Sequence, residues 1–386
     1  MSRLTGRGAG VLAGAVVLLA AGLLLAYREM AVLGGAGVLV VAIAAAWSAA
    51  PPPVAVQRLI TPRRVRRGEP AAVATDVLGL DRSRRLLRLT ELIGEPGGPL
   101  LALHDPVELP VRAGVPARVT AALPTGRRGI FTVGPLLAER SDPFGLWSVR
   151  RRTGGADRFT VWPRWHPVTR LPAGRSAELE GDRDLVDAGS ITFHGLRGYV
   201  PGDDLRHVHW RTSARIGELM VRTHVDAALA RQVVVLDDRA GSYATPDAFE
   251  EAVEVTASLL VATVDSGHRI VLLVAGDPGE ELPVPSVEAG LDRLAAVRLR
   301  DEAGLDARTR LRLREGGDAL LYVTGEKASL DLLAEVRARY RTIAAAVVGP
   351  EPAAGPRTGG TAVIAPGAAG LVAQLQERAW NTAPAR

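Results

Sequence analysis

Residues 9–27, AGVLAGAVVLLAAGLLLAY, and residues 30–50, MAVLGGAGVLVVAIAAAWSAA, are two uncharged apolar runs separated only by Arg28 and Glu29. Each is about 20 residues long, enough at about 1.5 Å per residue to cross a hydrocarbon core of about 30 Å. A cleaved secretory signal fits poorly, because the first run is long for such a segment and the second follows at once. The gap allows only a tight turn, so residues 1–50 are read as a two-helix transmembrane hairpin, with helices over 9–27 and 30–50. Arg3 and Arg7 precede the first helix, and Arg58, Arg63, Arg64, Arg66 and Arg67 follow the second. That bias places both termini in the cytoplasm and the turn outside, in a two-pass plasma-membrane protein. Tyr27 and Trp47 lie near helix ends, where amphipathic rings settle at the interface. Gly10 and Gly14 form a small-xxx-small pair, and Gly34, Gly35 and Gly37 cluster in the second helix; packing inside the hairpin explains them as well as dimerisation does. The run G-R-G-A-G at 6–10 has the spelling of a dinucleotide loop, but no strand is expected before it and a membrane helix follows.

The 386 residues suffice for this anchor and two modest domains. Cysteine is absent, which excludes disulfides and thiolate chemistry and is compatible with a reducing compartment. Lys327 is the single lysine among 47 basic residues, and the net charge is +5. An arginine excess of this kind points to solvated side chains and attraction to anionic lipid heads rather than to nucleic acid.

Pro51, Pro52 and Pro53 end the second helix and open a stiff linker. Over 51–165 the text changes to short β-like runs: 54–60, 71–79, 85–92, 117–123, 129–137 and 158–162. Such spacing predicts a small antiparallel β-sandwich-like domain. Asp142-Pro143-Phe144-Gly145 has turn chemistry, since Pro presets φ and Gly tolerates a positive one. Nothing in this region has a catalytic arrangement, and it reads as a scaffold or docking surface.

Residues 166–230 hold the densest segment. Pro201, Gly202, Asp203 and Asp204 read as a turn whose carboxylates accept from backbone N–H groups and from arginine. Arg197, Arg206, Arg211, Arg215 and Arg222 supply the guanidiniums. One account is a charge network that pins a loop; the other is a surface for an acidic partner or a phosphate. Four of seven histidines, His194, His207, His209 and His224, fall here. His207 and His209 share one side of any strand, and with Asp203 or Asp204 could hold a metal, though the spacing is not that of a zinc site. Ser213 as a hydrolase nucleophile lacks a framing elbow.

The string G-L-R-G-Y-V-P-G-D-D-L-R-H-V-H-W-R-T-S-A-R, residues 195–215, resembles the signature of the domain of unknown function 58 family (DUF58). Residues 127–136 and 141–146 are similar to the β region that precedes it in that family, and the two apolar helices agree. The matching signature positions are Arg197, Tyr199, Pro201, Gly202, Asp203, Asp204, Arg206, Trp210, Ser213, Ala214 and Arg215, with His209 standing where the family often has Asp. The resemblance implies a membrane-anchored protein with a C-terminal von Willebrand factor A-like region and no defined enzymatic activity. It also implies a neighbouring MoxR-type AAA+ ATPase and transglutaminase-like membrane proteins as encoded companions.

Residues 231–386 support an α/β domain on their own terms. Gln232–Leu236 is a continuous apolar run, like a buried parallel strand, ending at Asp237 and Asp238. Thr245 can cap a following helix, Pro246 suits its first turn, and Phe249, Val253, Leu260 and Val264 fall on one face before Gly267. Strands are expected over 269–275, 319–324, 343–348 and 361–364, and helices over 287–298, 330–341 and 368–380. The alternation predicts a doubly wound, mostly parallel (Rossmann-like) sheet. Its functional crevice lies at the strands' carboxyl ends, beside Asp237. Metal-binding members of the von Willebrand type read Asp-x-Ser-x-Ser there, with oxygen ligands for magnesium. Here the serine positions hold Arg239 and Gly241, Ser242 comes one place late, and Thr324-Gly325-Glu326 lacks the later aspartate. Asp237 is thus a weak metal candidate and better read as a loop-ordering carboxylate, with no cofactor expected. The expected function is a non-enzymatic scaffold that docks an AAA+ ATPase or another membrane protein. A metal-dependent adhesion module and an envelope hydrolase are the alternatives.

Overall fold

The computed structural model describes residues 2–48, 52–81, 85–169, 171, 193–198, 210–224, 231–276, 284–301, 317–350 and 361–377. They form two compact units, Met1–Trp162 and Pro163–Arg386.

The first unit begins with strand β1 (Ser2–Leu4), then helices α1 (Gly6–Leu24) and α2 (Arg28–Ser48). Helix α1 starts earlier than the apolar run because Thr5 caps it, its hydroxyl accepting the Gly8 N–H at 3.0 Å. Both helices are long and apolar enough to cross a membrane. A Cβ at Gly22 would strike the backbone of Ala31, and one at Gly34 the backbone of Leu19, so these two glycines set the distance between the helices. Gly10, Gly14 and Gly35 face open space. The small-xxx-small pair therefore lies outside the hairpin seam, and packing within the hairpin does not explain it.

Strands β2 (Val54–Thr61), β4 (Ala72–Gly79) and β8 (Ala117–Ala122) form a three-stranded antiparallel sheet. The larger sheet has eight strands: β1, β3 (Arg64–Arg66), β5 (Arg85–Gly94), β6 (Leu101–Ala102), β7 (Val107–Val111), β9 (Gly129–Ser141), β10 (Trp147–Thr153) and β11 (Asp157–Trp162). Val73 and Ile60 of the small sheet pack with Val133, Phe159 and Val161 of the large one, and Val77 and Val119 pack with Leu87, Leu89 and Leu136. The expectation of a purely antiparallel region needs one correction, because β3 runs parallel to β11. A polar staple also crosses this apolar interior. The Arg58 side chain, 3% exposed, donates to Glu91 at 2.7 Å and to Asp157 at 2.9 Å, and Thr75 donates to the same Glu91 at 2.6 Å. Arg58 thus spends its charge inside the unit rather than beside the second apolar helix.

A strand does precede Gly6: β1 pairs antiparallel with β10, Arg3 opposite Ser148 and Leu4 opposite Trp147. The Asp142 carboxylate accepts the N–H groups of Phe144 and Trp147 and so closes the turn that leads into β10. Thr5 donates its hydroxyl to the Gly145 carbonyl and its N–H to that of Leu146. Leu146 is buried with Val41 and Ala44, and Leu4, Leu12 and Trp147 pack around them. The base of the helical pair is thereby built into the strand region.

In the second unit, β12 (Phe193–Gly198) and β13 (Met220–His224) pair antiparallel, and α3 (Trp210–Ile216) lies between them in sequence. Five strands then make a wholly parallel sheet: β14 (Arg231–Leu236), β15 (Arg269–Val274), β16 (Gly317–Gly325), β17 (Tyr340–Val348) and β18 (Thr361–Ala365). The spatial order is β15-β14-β16-β17-β18, a doubly wound order that reverses between β14 and β16. Val233 and Val235 pack toward α6 (Asp331–Glu335), while α4 (Pro246–Asp265) packs against the sheet and against α5 (Val287–Ala296) and α7 (Ala368–Glu377). Thr245 caps α4 and accepts the Ala248 N–H at 3.2 Å. One expected helix is much shorter than its sequence suggests. Over 330–341 only Asp331–Glu335 is α-helical, because β17 starts at Tyr340, which pairs with Gly317 and is buried. Residues 163–169 are fastened to the helices: the His166 N–H donates to Ser258, and Gln376 donates to the Pro167 carbonyl.

Candidate functional site

The switch point of the parallel sheet lies between the carboxyl ends of β14 and β16, where such folds place their ligands. Asp237 follows β14 directly and is 0% exposed. Arg239 grips its carboxylate in a fork, Nε to Oδ1 at 2.9 Å and Nη2 to Oδ2 at 2.8 Å. Three hydroxyls converge on Oδ2: Ser242 at 2.7 Å, Tyr322 at 2.9 Å and Thr324 at 2.9 Å. The Arg239 N–H adds a bond to Oδ1 at 3.1 Å, and Tyr243 donates its hydroxyl to the Asp237 carbonyl. Tyr322 and Thr324 both reach the carboxylate because residues two apart on a strand share a face.

Local backbone explains the arrangement. A single 3₁₀ turn, Ala240–Ser242, takes up the extra residue and returns Ser242 to Asp237. The late serine of the sequence therefore does reach the carboxylate. Gly325 is required by close approach, since a Cβ there would strike the Ser242 carbonyl. Burial acts to raise the Asp237 pKa, but hydrogen bonds from Arg239 and Ser242, with the Arg239 charge, outweigh it and hold the carboxyl below its usual range. Burial pushes the Tyr322 and Tyr243 hydroxyls well up, so both stay protonated donors.

A magnesium ion does not fit this cluster. Both carboxylate oxygens already accept from the guanidinium, which stands where a cation would bind. The same bonds tie Arg239, Ser242 and Tyr243 back to Asp237 across the 237–243 loop.

Asp238 behaves differently. It is 1% exposed, accepts the Gly276 N–H at 2.7 Å, and has Arg300 Nε 3.3 Å from its other oxygen. Burial raises its pKa, and the Gly276 bond and the Arg300 charge offset this only in part. A cavity of about 440 Å³ opens beside it, lined also by Arg293, Arg298 and Arg300. Arg300 also donates to the Gly276 carbonyl at 2.6 Å, and Arg293 to that of Leu272 at 2.9 Å.

Of the signature residues, Tyr199, Pro201, Gly202, Asp203, Asp204, Arg206, His207 and His209 lie outside the described residues. Arg197 and His194 lie on β12, and β13 brings His224 opposite Phe193 at the irregularity next to His194. Trp210, Ser213, Ala214 and Arg215 lie on α3. Ser213 is buried and its hydroxyl accepts the Met220 N–H at 2.8 Å, tying α3 to β13. Trp210 is 64% exposed, and Arg211, Ala214 and Arg215 of the same helix are also exposed.

The sequence reading missed Tyr322, Arg300 and the fork of Arg239 as partners of the two carboxylates. One signal was available: a tyrosine inside the buried run A-L-L-Y-V-T must find a partner for its hydroxyl.

The described architecture is thus two apolar helices with a strand-rich region, followed by a parallel α/β sheet whose switch-point carboxylate is closed by the chain's own arginine. Residues 195–373 match the family described as "Protein of unknown function DUF58". A curated relative, "Uncharacterized protein YeaD" of Bacillus subtilis (strain 168), is 35% identical over 152 residues, covering 36% of this chain and 37% of that protein. The chain therefore matches little more than a third of that relative's length. Among solved structures, the Pseudomonas fluorescens alkylpurine DNA glycosylase AlkC bound to DNA containing an abasic site analog is 14% identical, covering 35% of this chain and 38% of that one at a TM-score of 0.22. A Bacteroides uniformis beta-glucuronidase is 11% identical, covering 78% of this chain and 34% of that one at a TM-score of 0.18. These two likenesses carry no argument.

Proposed function

We propose that this chain is a membrane-anchored, non-enzymatic interaction protein of the DUF58 family, whose parallel sheet is a von Willebrand factor A-like region. It works with a MoxR-type AAA+ ATPase, in a cell-envelope or protein-maturation role. The observation that carries the reading is the closure of the switch point, where Arg239 and three hydroxyls satisfy Asp237 from within. A carboxylate so engaged has no spare lone pair for an ion and no freedom to act as a base. Trp and Arg, which α3 exposes as Trp210, Arg211 and Arg215, are residue types that anchor protein contacts. The helical pair supports the anchor, since large apolar side chains such as Leu23, Leu24, Val32 and Leu33 are exposed along it, and a soluble surface rarely carries so large a patch.

Crosslinking in the native membrane, followed by identification of the attached proteins, tests the reading. The expected product is the ATPase, with capture lost in Trp210→Ala. Absence of any protein adduct in intact membranes would defeat the interaction role. Titration with magnesium or manganese to millimolar concentration is expected to give no heat; saturable heat would favour the metal-dependent adhesion reading instead.

A further inference from the structure

At the foot of the helical pair, at the end away from the Leu25–Tyr27 turn, lies a cavity of about 970 Å³, within or near the range of about 300–1,000 Å³ typical of small-ligand sites. Its charge is unbalanced, for five arginines line it against three acidic residues. Arg88 is paired with Glu108, and Arg150 with Glu139 at 3.0 Å. The Asp142 carboxylate is taken up by two backbone N–H groups. Arg3 and Arg7 are exposed, and among the described residues neither has a carboxylate partner.

The other wall is apolar and open. Phe144 is 70% exposed at the tip of its turn, and Trp47 is exposed in the last turn of α2. Two unpaired guanidiniums next to two exposed aromatic rings, where two apolar helices end, fit one chemistry: a phosphate diester with an acyl chain attached. Guanidinium is the donor that matches phosphate oxygens, and aromatic rings settle where headgroups meet acyl chains.

We propose that this cavity is a binding site for the headgroup of an anionic phospholipid, held by Arg3 and Arg7 with Phe144 and Trp47 at the acyl boundary. The inference rests on the membrane-anchored reading. The turn 142–147 is then a seat pressed against the membrane surface, and the bound lipid fixes how deep the foot of the helical pair sits.

The test uses the full chain in liposomes containing either brominated phosphatidylglycerol or brominated phosphatidylcholine at equal mole fraction. Bromine quenches a tryptophan that it touches, and the chain has six tryptophans, so the part of the quenching that is lost in Trp47→Phe reports the site. Brominated phosphatidylglycerol is expected to quench more strongly, and the double variant Arg3→Gln, Arg7→Gln to lose roughly 30-fold in that preference, as two basic groups at an anionic surface imply. The double variant Arg3→Lys, Arg7→Lys should keep most of it, with a C-terminal reporter checking orientation in every sample. Equal quenching by the two lipids in an anchored, correctly oriented wild-type protein would overturn the site and leave the anchor standing. Displacement of phosphatidylglycerol by millimolar inorganic phosphate would assign the cavity to free phosphate and overturn the lipid. Quenching by neither lipid, with the protein recovered in the aqueous phase, would defeat anchor and site together.

Discussion

Asp237 and Asp238 are adjacent in sequence and equally hidden from solvent, yet their surroundings push them in opposite directions. Five donor groups meet Asp237, counting the Arg239 fork as one and its backbone N–H as another. Replacing it with alanine strands the buried hydroxyls of Ser242, Tyr322 and Thr324 and should destabilise the chain by about 3 kcal/mol, the scale of a broken buried pair. Its pH dependence follows from the lowered pKa. The contribution is complete above the unfolded carboxylate's pKa and disappears as pH falls through the lower folded value. The raised pKa of Asp238 has the reverse sign. Its contribution is present below the unfolded pKa and is lost as pH rises through the folded value, so at neutral pH the ionised form is a burden. Asp238→Asn should therefore gain stability over wild type as pH rises, while Asp237→Asn should lose it. Thermal unfolding of the detergent-solubilised chain between pH 2 and 8 would check this, with the Asp237→Asn deficit growing over the acid part of the range and the Asp238→Asn gain appearing above it; parallel curves for the two variants would contradict the assignment.

At the scale of elements, the informative junction is that between the first helix and the turn at 142–147. Gly8 is buried, and any side chain there would run into the Leu146 carbonyl. Gly8→Val should therefore part α1 from the turn, exposing Leu146 and Trp147, while leaving helix propensity nearly untouched. Limited proteolysis is expected to open a new cleavage between residues 140 and 147 in this variant, and not in Gly10→Val, whose site faces open space. Equal patterns in the two variants would show that the junction is not maintained in solution. The shortened helix at 331–335 carries the complementary lesson. The stretch A-E-V-R-A-R favours helix by local propensity, but the buried edge of Tyr340 and the parallel register with β16 end it early.

At the scale of the molecule, the first residues belong to the strand region as much as to the helices. Removing 2–48 to make a soluble fragment would delete β1 and leave the β10 edge unpaired, with Leu146 and Trp147 stripped of their partners. Unpaired edges next to apolar surface invite self-association. Light scattering of such a fragment should show concentration-dependent oligomers, and a fragment that opens at Pro53 yet stays monodisperse would count against the described junction.

What was legible in the sequence follows from local rules. Charge-free length identified two helices apt for a bilayer, apolar periodicity and capping marked α4 and the parallel strands, and the D-P-F-G spelling marked a turn. Strand β10 was hidden because three of the seven residues in its run W-S-V-R-R-R-T are arginine, and β1 because three residues carry no period. Tertiary structure alone decided that Arg58 spends its charge inside the sandwiched sheets, that one 3₁₀ turn rescues Ser242, and that Arg239 stands in the place of a cation. The reason is physical: periodicity and propensity act between near neighbours, whereas these outcomes depend on which distant donors a buried carboxylate meets once the sheets have packed.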